Sequence, residues 1–184
     1  MKKSTYIILG IVVLVGLYVT MTYNRLVTTS EGADAQWAKV ETQYQRRFDL
    51  IPNLVESVKG VMKQEQAVFT ALAEARTRYS GAQTVDARAA AAGQVESALG
   101  RLLVITENYP QLKSSETVQT LMSQIEGTEN RVSTERTRFN DMINGYNLTV
   151  KRFPSSAVAS IFGFAERAYF EAVEGADSVQ KVNF

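Results

Sequence analysis

Glu65, Glu107 and Glu135 are the side chains best placed to do chemistry in this sequence, and the company they lack limits what that chemistry could be. None of the 184 residues is histidine or cysteine. That removes serine–histidine triads, thiolate nucleophiles, zinc sites built on histidine or cysteine, and the glutamate-x-x-histidine di-iron pattern of helical bundles. A metal site would have to be all-oxygen, for calcium, magnesium or manganese, and no EF-hand spacing supports one. Lys113 and Ser114 are adjacent, so a helix would point them to different faces rather than pair them. A carboxylate-dependent hydrolase is therefore only an alternative. No catalytic residue, metal ligand or cofactor is expected.

Glu65 and Glu135 fall at positions where the apolar period would place a core residue. A charge in such a seam is costly unless it is paired. With Glu107, Arg136, Asn140 and Asn147 they are expected to form a buried polar network that fixes helix register, as single polar residues do in coiled coils.

A second group lies in the stretch 46–56. Arg46, Arg47, Asp49, Pro52 and Asn53 interrupt what is otherwise an amphipathic helix. Pro52 has no amide to give the carbonyl one turn back, so a kink is expected there. Asp49 could then act as a local cap and Asn53 could answer the freed backbone acceptor. The kink would present these residues as a docking notch. A third group, Ile161, Phe162, Phe164, Tyr169 and Phe170, puts apolar side chains on more than one face of a last helix and is expected to meet a partner or a second copy.

These groups need elements to hold them. Residues 6–21 are apolar apart from Thr20, and 5–22 approach the length that crosses a bilayer. Tyr6, Tyr18 and Tyr23 are placed as interfacial anchors. Bulky residues after the run argue against a cleavage site, so a signal-anchor is expected, with the bilayer as a partner. Lys2 and Lys3 precede the span and only Arg25 follows closely, which places the body outside the cytoplasm. The formal net charge of +1 shows no basic excess for binding nucleic acid.

Beyond the anchor (1–24), the helical body (25–175) should be all-α, an elongated antiparallel four-helix bundle with coiled-coil-like seams. Residues 176–184 should be a short flexible tail. One helix is expected from about 32 to 80, a second from Thr84 to about 108, a third from about 112 to 153, and a fourth from 156 to 174. The seam of the third runs Val118, Leu121, Ile125, Thr128, Val132, Glu135, Phe139, Met142, Tyr146, Val150 and Phe153. Helices so unequal could not all lie flush, and a homo-oligomer is expected to cover the exposed seam.

Several motifs occur in the order and spacing of one family. They are Tyr23-Asn24-Arg25-Leu26-Val27, the segment 45–60, Glu107-Asn108-Tyr109-Pro110-Gln111-Leu112-Lys113, Gly127-Thr128-Glu129-Asn130-Arg131, and Phe139-Asn140, Tyr146-Asn147, Phe153-Pro154 and Gly163-Phe164. The chain resembles the LemA family from the anchor to the last helix, with Phe48 bulkier than the residue often found there. The resemblance implies a single-pass bacterial membrane protein with an all-helical domain and no known enzymatic activity. It often goes with a cytoplasmic body, against the charge bias. The function expected is a scaffold or adaptor at the bacterial cytoplasmic (inner) membrane, engaging an unidentified membrane or envelope protein or itself. A membrane-remodelling polymer of anchored bundles is the alternative.

Overall fold

The computed structural model describes residues 3–170, and every regular element among them is helical. In order they are α1 (Lys3–Lys59), α2 (Gln66–Gly81), α3 (Val85–Thr106), α4 (Pro110–Lys113), α5 (Glu116–Lys151) and α6 (Ser155–Phe162). The chain divides into two compact units. One is built from residues 3–39 and 135–169, the other from 40–134 with residue 170.

The four-helix bundle is the second unit, and its members differ from those expected. The first expected helix is two. It breaks at 60–65, where Gly60 weakens helix propensity and the buried Met62 turns inward. Met62 and Val61 donate their amides to the Val58 carbonyl, at 2.9 and 3.1 Å, and close the turn. Pro52, in contrast, lies inside α1 on its exposed side and does not break it. Tyr44 and Phe48 of α1 meet Tyr79 of α2 with ring centroids 5.5 and 4.6 Å apart. Glu41 of α1 pairs with Arg88 of α3. Arg47 of α1 reaches both Glu96 of α3 and Thr128 of α5. α1, α2, α3 and α5 therefore form the up-down-up-down set.

Their lengths agree. At about 1.5 Å per residue, α2 with 16 residues is about 24 Å long and α3 with 22 is about 33 Å. The parts of α1 and α5 in this unit, 40–59 and 116–134, are each about 30 Å. The mismatch that called for a covering copy disappears once the chain folds back at 60–65.

Local signals explain the ends. Thr84 caps α3, as its sequence position suggests, its hydroxyl accepting from the Ala87 amide at 3.1 Å. Pro110 opens α4, which makes the corner into α5.

In the first unit, Leu26 of α1, Tyr146 of α5 and Ala159 of α6 form a core with Val150 and Phe164 against it. Trp37 packs on Phe139 with centroids 5.3 Å apart. The α5 seam follows the expected spacing through Val118, Ile125, Thr128, Val132, Phe139 and Tyr146, all buried. It departs at Met142, which is exposed while Ile143 takes the interior. It departs again at Phe153, 87% exposed beyond the end of the helix.

The last helix is shorter than expected. α6 stops at Phe162 because Gly163 takes a left-handed φ of 76°, a conformation glycine adopts at little cost. The Phe164 amide then donates to the Ala159 carbonyl at 2.9 Å, and the half-buried Phe164 ring seals the turn. Residues 164–170 continue without helix. The expected helix beyond 170 and the tail lie outside the described residues.

Candidate functional site

The most constrained polar group is Arg47, and α1 puts it there by periodicity. Val40, Tyr44, Arg47, Ile51, Leu54 and Val58 step by three and four along one face and are all buried. Arg47 is 0% exposed. Its guanidinium is met by acceptors from two other helices. Nη2 lies 2.6 Å from Glu129 Oε2 and Nη1 lies 3.3 Å from Glu96 Oε1. Nε donates to Thr128 Oγ1 at 3.2 Å, and that hydroxyl donates to the Ile125 carbonyl at 2.7 Å. Tyr44 Oη donates to the same Glu96 oxygen at 3.3 Å. A planar fork with several donors suits this many-sided contact better than an ammonium would. Glu96 and Glu129 keep contact with water, at 25% and 50% exposure. The carboxylates are thus partly hydrated while the cation is wholly enclosed. Chemically the arrangement locks α1, α3 and α5 in register.

This corrects the docking notch. Arg47 is an internal tie, with Phe48 buried beside it. Arg46, Asp49, Pro52 and Asn53 do face outward. Because α1 is unbroken, Asp49 caps nothing and instead accepts from Gln45 Nε2 at 2.7 Å. Asn53 lines a groove of about 500 Å³ with Ser57 and, from α5, Glu116, Thr117, Thr120 and Leu121.

The expected polar network is partly present, as separate contacts. In the first unit Glu135 Oε2 accepts from the buried Gln36 Nε2 at 2.5 Å, and Oε1 pairs with Arg138 at 2.7 Å. Asn140 and Arg136 are half-buried, and each has interaction partners. Asn147 is buried and grips the backbone of Arg167 from both sides: Nδ2 donates to its carbonyl at 2.8 Å, and Oδ1 accepts from its amide at 2.9 Å. Tyr146 Oη donates to the Ala165 carbonyl at 2.9 Å. Arg167 Nη1 donates to the Ser30 carbonyl at 3.1 Å, and Nη2 pairs with Asp34. Helices α1 and α5 and the segment 164–167 are thereby tied together.

Glu65 and Glu107 do not join a core. Glu65 stands at the start of α2, half-buried, and accepts from Tyr109 Oη at 3.4 Å. Burial and then the Glu65 charge raise the pKa of Tyr109. Glu107 is exposed past the end of α3, because the helix stops one residue before it. Among the described residues no group of three or more acidic side chains is arranged to hold a metal ion.

The apolar contact group also divides. Ile161 is 76% exposed. Phe162 and Phe164 set their edges against Tyr23, with centroids 4.9 and 5.7 Å away. Tyr169 is exposed and its hydroxyl donates to Asn144 at 3.3 Å, while Phe170 is buried. Gln36, Glu96, Glu129 and Arg167 were not singled out by sequence. For Arg47 the signal existed, since it lies three residues after Tyr44 and four before Ile51. For Arg167 none did, because the partners of its guanidinium lie over 100 residues away.

Comparison with known proteins agrees with this architecture. Residues 36–184 match the model of the LemA family. The chain is 27% identical to magnetosome proteins MamQ 1 and MamQ 2 of Paramagnetospirillum magneticum, over 86% of this chain and 68% of each of theirs. It is 28% identical, with the same coverage, to magnetosome protein MamQ of Magnetospirillum gryphiswaldense. α1 begins with an apolar segment long enough to cross a membrane and scarcely buried within the protein. The whole is a membrane-associated helical protein, and the family match over most of its length shows that the chain belongs to the LemA family.

Proposed function

We propose that this protein is a single-pass, membrane-anchored scaffold or adaptor of the bacterial cytoplasmic membrane, acting by protein–protein contact or self-assembly and without catalysis of its own. The observation that carries this reading is the continuity of α1. One 57-residue helix contains both the apolar segment and the seam around Arg47. The apolar segment and that seam thus belong to one covalently continuous helix, which tethers the helical body to the membrane. The outward residues Arg46, Asp49, Pro52 and Asn53 and the exposed Ile161 are the surfaces offered to partners. Self-assembly no longer rests on unequal helix lengths, and these surfaces are what support it. The charge bias of Lys2 and Lys3 against Arg25 supports a body outside the cytoplasm.

Cross-linking of the full-length protein in native membranes, read by mass spectrometry, tests this. Recurrent cross-links to envelope proteins or to second copies are expected, and their loss when residues 3–22 are deleted. A protein that cross-links to nothing recurrently, or that turns over a substrate through its carboxylates, overturns it.

A further inference from the structure

In the first unit, a cavity of about 390 Å³ opens where α1 leaves its apolar segment. One wall is Tyr18, Met21, Thr22 and Arg25 of α1. The other is Gly145, Leu148 and Thr149 of α5, with Arg152 and Ser155 beyond it. The cavity is chemically two-ended. Tyr18, Met21 and Leu148 are exposed apolar surface, and Tyr18 and Met21 belong to the segment suited to a bilayer interior. Arg25 and Arg152 supply two guanidinium groups, and no carboxylate lines the space.

Neighbouring cations in this unit are already neutralised: Lys151 by Glu166 at 2.7 Å, Arg138 by Glu135, and Arg167 by Asp34. Arg25 and Arg152 have no such partner among the described residues. The hydroxyls of Thr149 and Ser155 already donate to backbone carbonyls. Thr22, by contrast, has no hydrogen-bond partner for its hydroxyl among the described residues. Two unpaired forks and one free hydroxyl thus meet at the level where α1 passes from lipid to water. An arginine fork matches phosphate geometry.

We infer that this cavity binds the phosphate headgroup of an anionic phospholipid, held by Arg25, Arg152 and Thr22, with its acyl chains against Tyr18, Met21 and Leu148. Phe153, 87% exposed between cavity residues Arg152 and Ser155, would dip into the same interfacial layer. The inference rests on the membrane placement of α1. It requires no scaffold activity.

The test is native mass spectrometry of the full-length protein in detergent, titrated with phosphatidylglycerol, phosphatidylcholine or inorganic phosphate. The wild type is expected to retain one phosphatidylglycerol at least about tenfold better than phosphatidylcholine. Arg25→Gln with Arg152→Gln should lose that preference, while Arg101→Gln, an exposed site on α3, should keep it. Gly145→Leu leaves both charges and fills the cavity, since a side chain there meets open space; it should also lose retention. Equal retention of both lipids, or a preference that survives both the double and the Gly145 variants, overturns the site. Displacement by millimolar inorganic phosphate would make it a soluble-anion site and overturn the lipid assignment. Circular dichroism confirms that the variants are folded. Carbonate extraction of membranes scores the anchoring of α1 separately, because the variants should remain membrane-bound even where lipid selectivity is lost.

Discussion

At the scale of single residues, two buried groups make opposite predictions. Arg47 is enclosed, and its removal leaves a cavity and strips Glu96 and Glu129 of their common partner. Arg47→Ala should cost about 3 kcal/mol, toward the lower end for a broken buried pair because both carboxylates can rehydrate. Arg47→Lys should recover only part of this, since one ammonium cannot serve acceptors on two helices with a fixed fork. Urea unfolding of both variants beside Arg101→Lys checks the order. Tyr79 is the reverse case. Its hydroxyl is buried without a hydrogen-bond partner, so Tyr79→Phe should be neutral or stabilising at neutral pH. Burial also pushes its pKa up to about 12 from the usual 10. The fold therefore favours the protonated phenol. The stability tied to that preference is complete below pH 10 and is lost as pH rises toward 12. Thermal melts across that window should fall more steeply for the wild type than for Tyr79→Phe.

At the scale of elements, one side chain of α5 holds the backbone at Arg167 in the segment after α6. Asn147 supplies both hydrogen bonds that hold the Arg167 backbone, and Asn147→Ala removes them together. About 1–3 kcal/mol of local stability should go with them. Because Arg167 is a trypsin site, limited proteolysis should cut there sooner in the variant, with the α2–α3 hairpin unaffected. Lys151 and Glu166 add a second tie, which raises the Lys151 pKa through their hydrogen bond. Helix ends were legible where a side chain or a proline makes the signal, as at Thr84 and Pro110. They are not legible where backbone conformation decides. Gly163 stops α6 because a left-handed φ is cheap there, yet Phe164, Tyr169 and Phe170 continue an apolar pattern that resembles helix. Pro52 was the converse. Proline is a strong breaker in isolation, but tertiary packing of Phe48, Ile51 and Leu54 on one side holds α1 together through it.

At the scale of the whole molecule, the chain's lack of cysteine makes its placement in the membrane directly measurable. A single Gln119→Cys, exposed on α5, should react with a membrane-impermeant thiol reagent added outside the cytoplasmic membrane. Labelling only after the membrane is permeabilised would place the body in the cytoplasm. The apolar segment and the helical period are local in sequence, so composition and spacing alone determined an all-helical protein with one apolar N-terminal segment, and the equally local motifs carry its resemblance to the LemA family. Composition and spacing also determined the inward positions of α5 from Val118 to Phe139, because the three–four step is set by helix geometry, but not the exchange of Met142 for Ile143, the exposure of Phe153 or the burial of Arg47 on α1. Which helices make the four-helix set was decided by the reversal at 60–65. That reversal depends on whether residues far apart pay back the loss of one turn. The same holds for Arg47, whose charge reads as a surface feature until Glu96 and Glu129 arrive from 49 and 82 residues away to neutralise it. It holds for Arg25 and Arg152, which only the return of α5 brings to one cavity. Partners of this kind are chosen in space, and a single sequence carries no record of that choice.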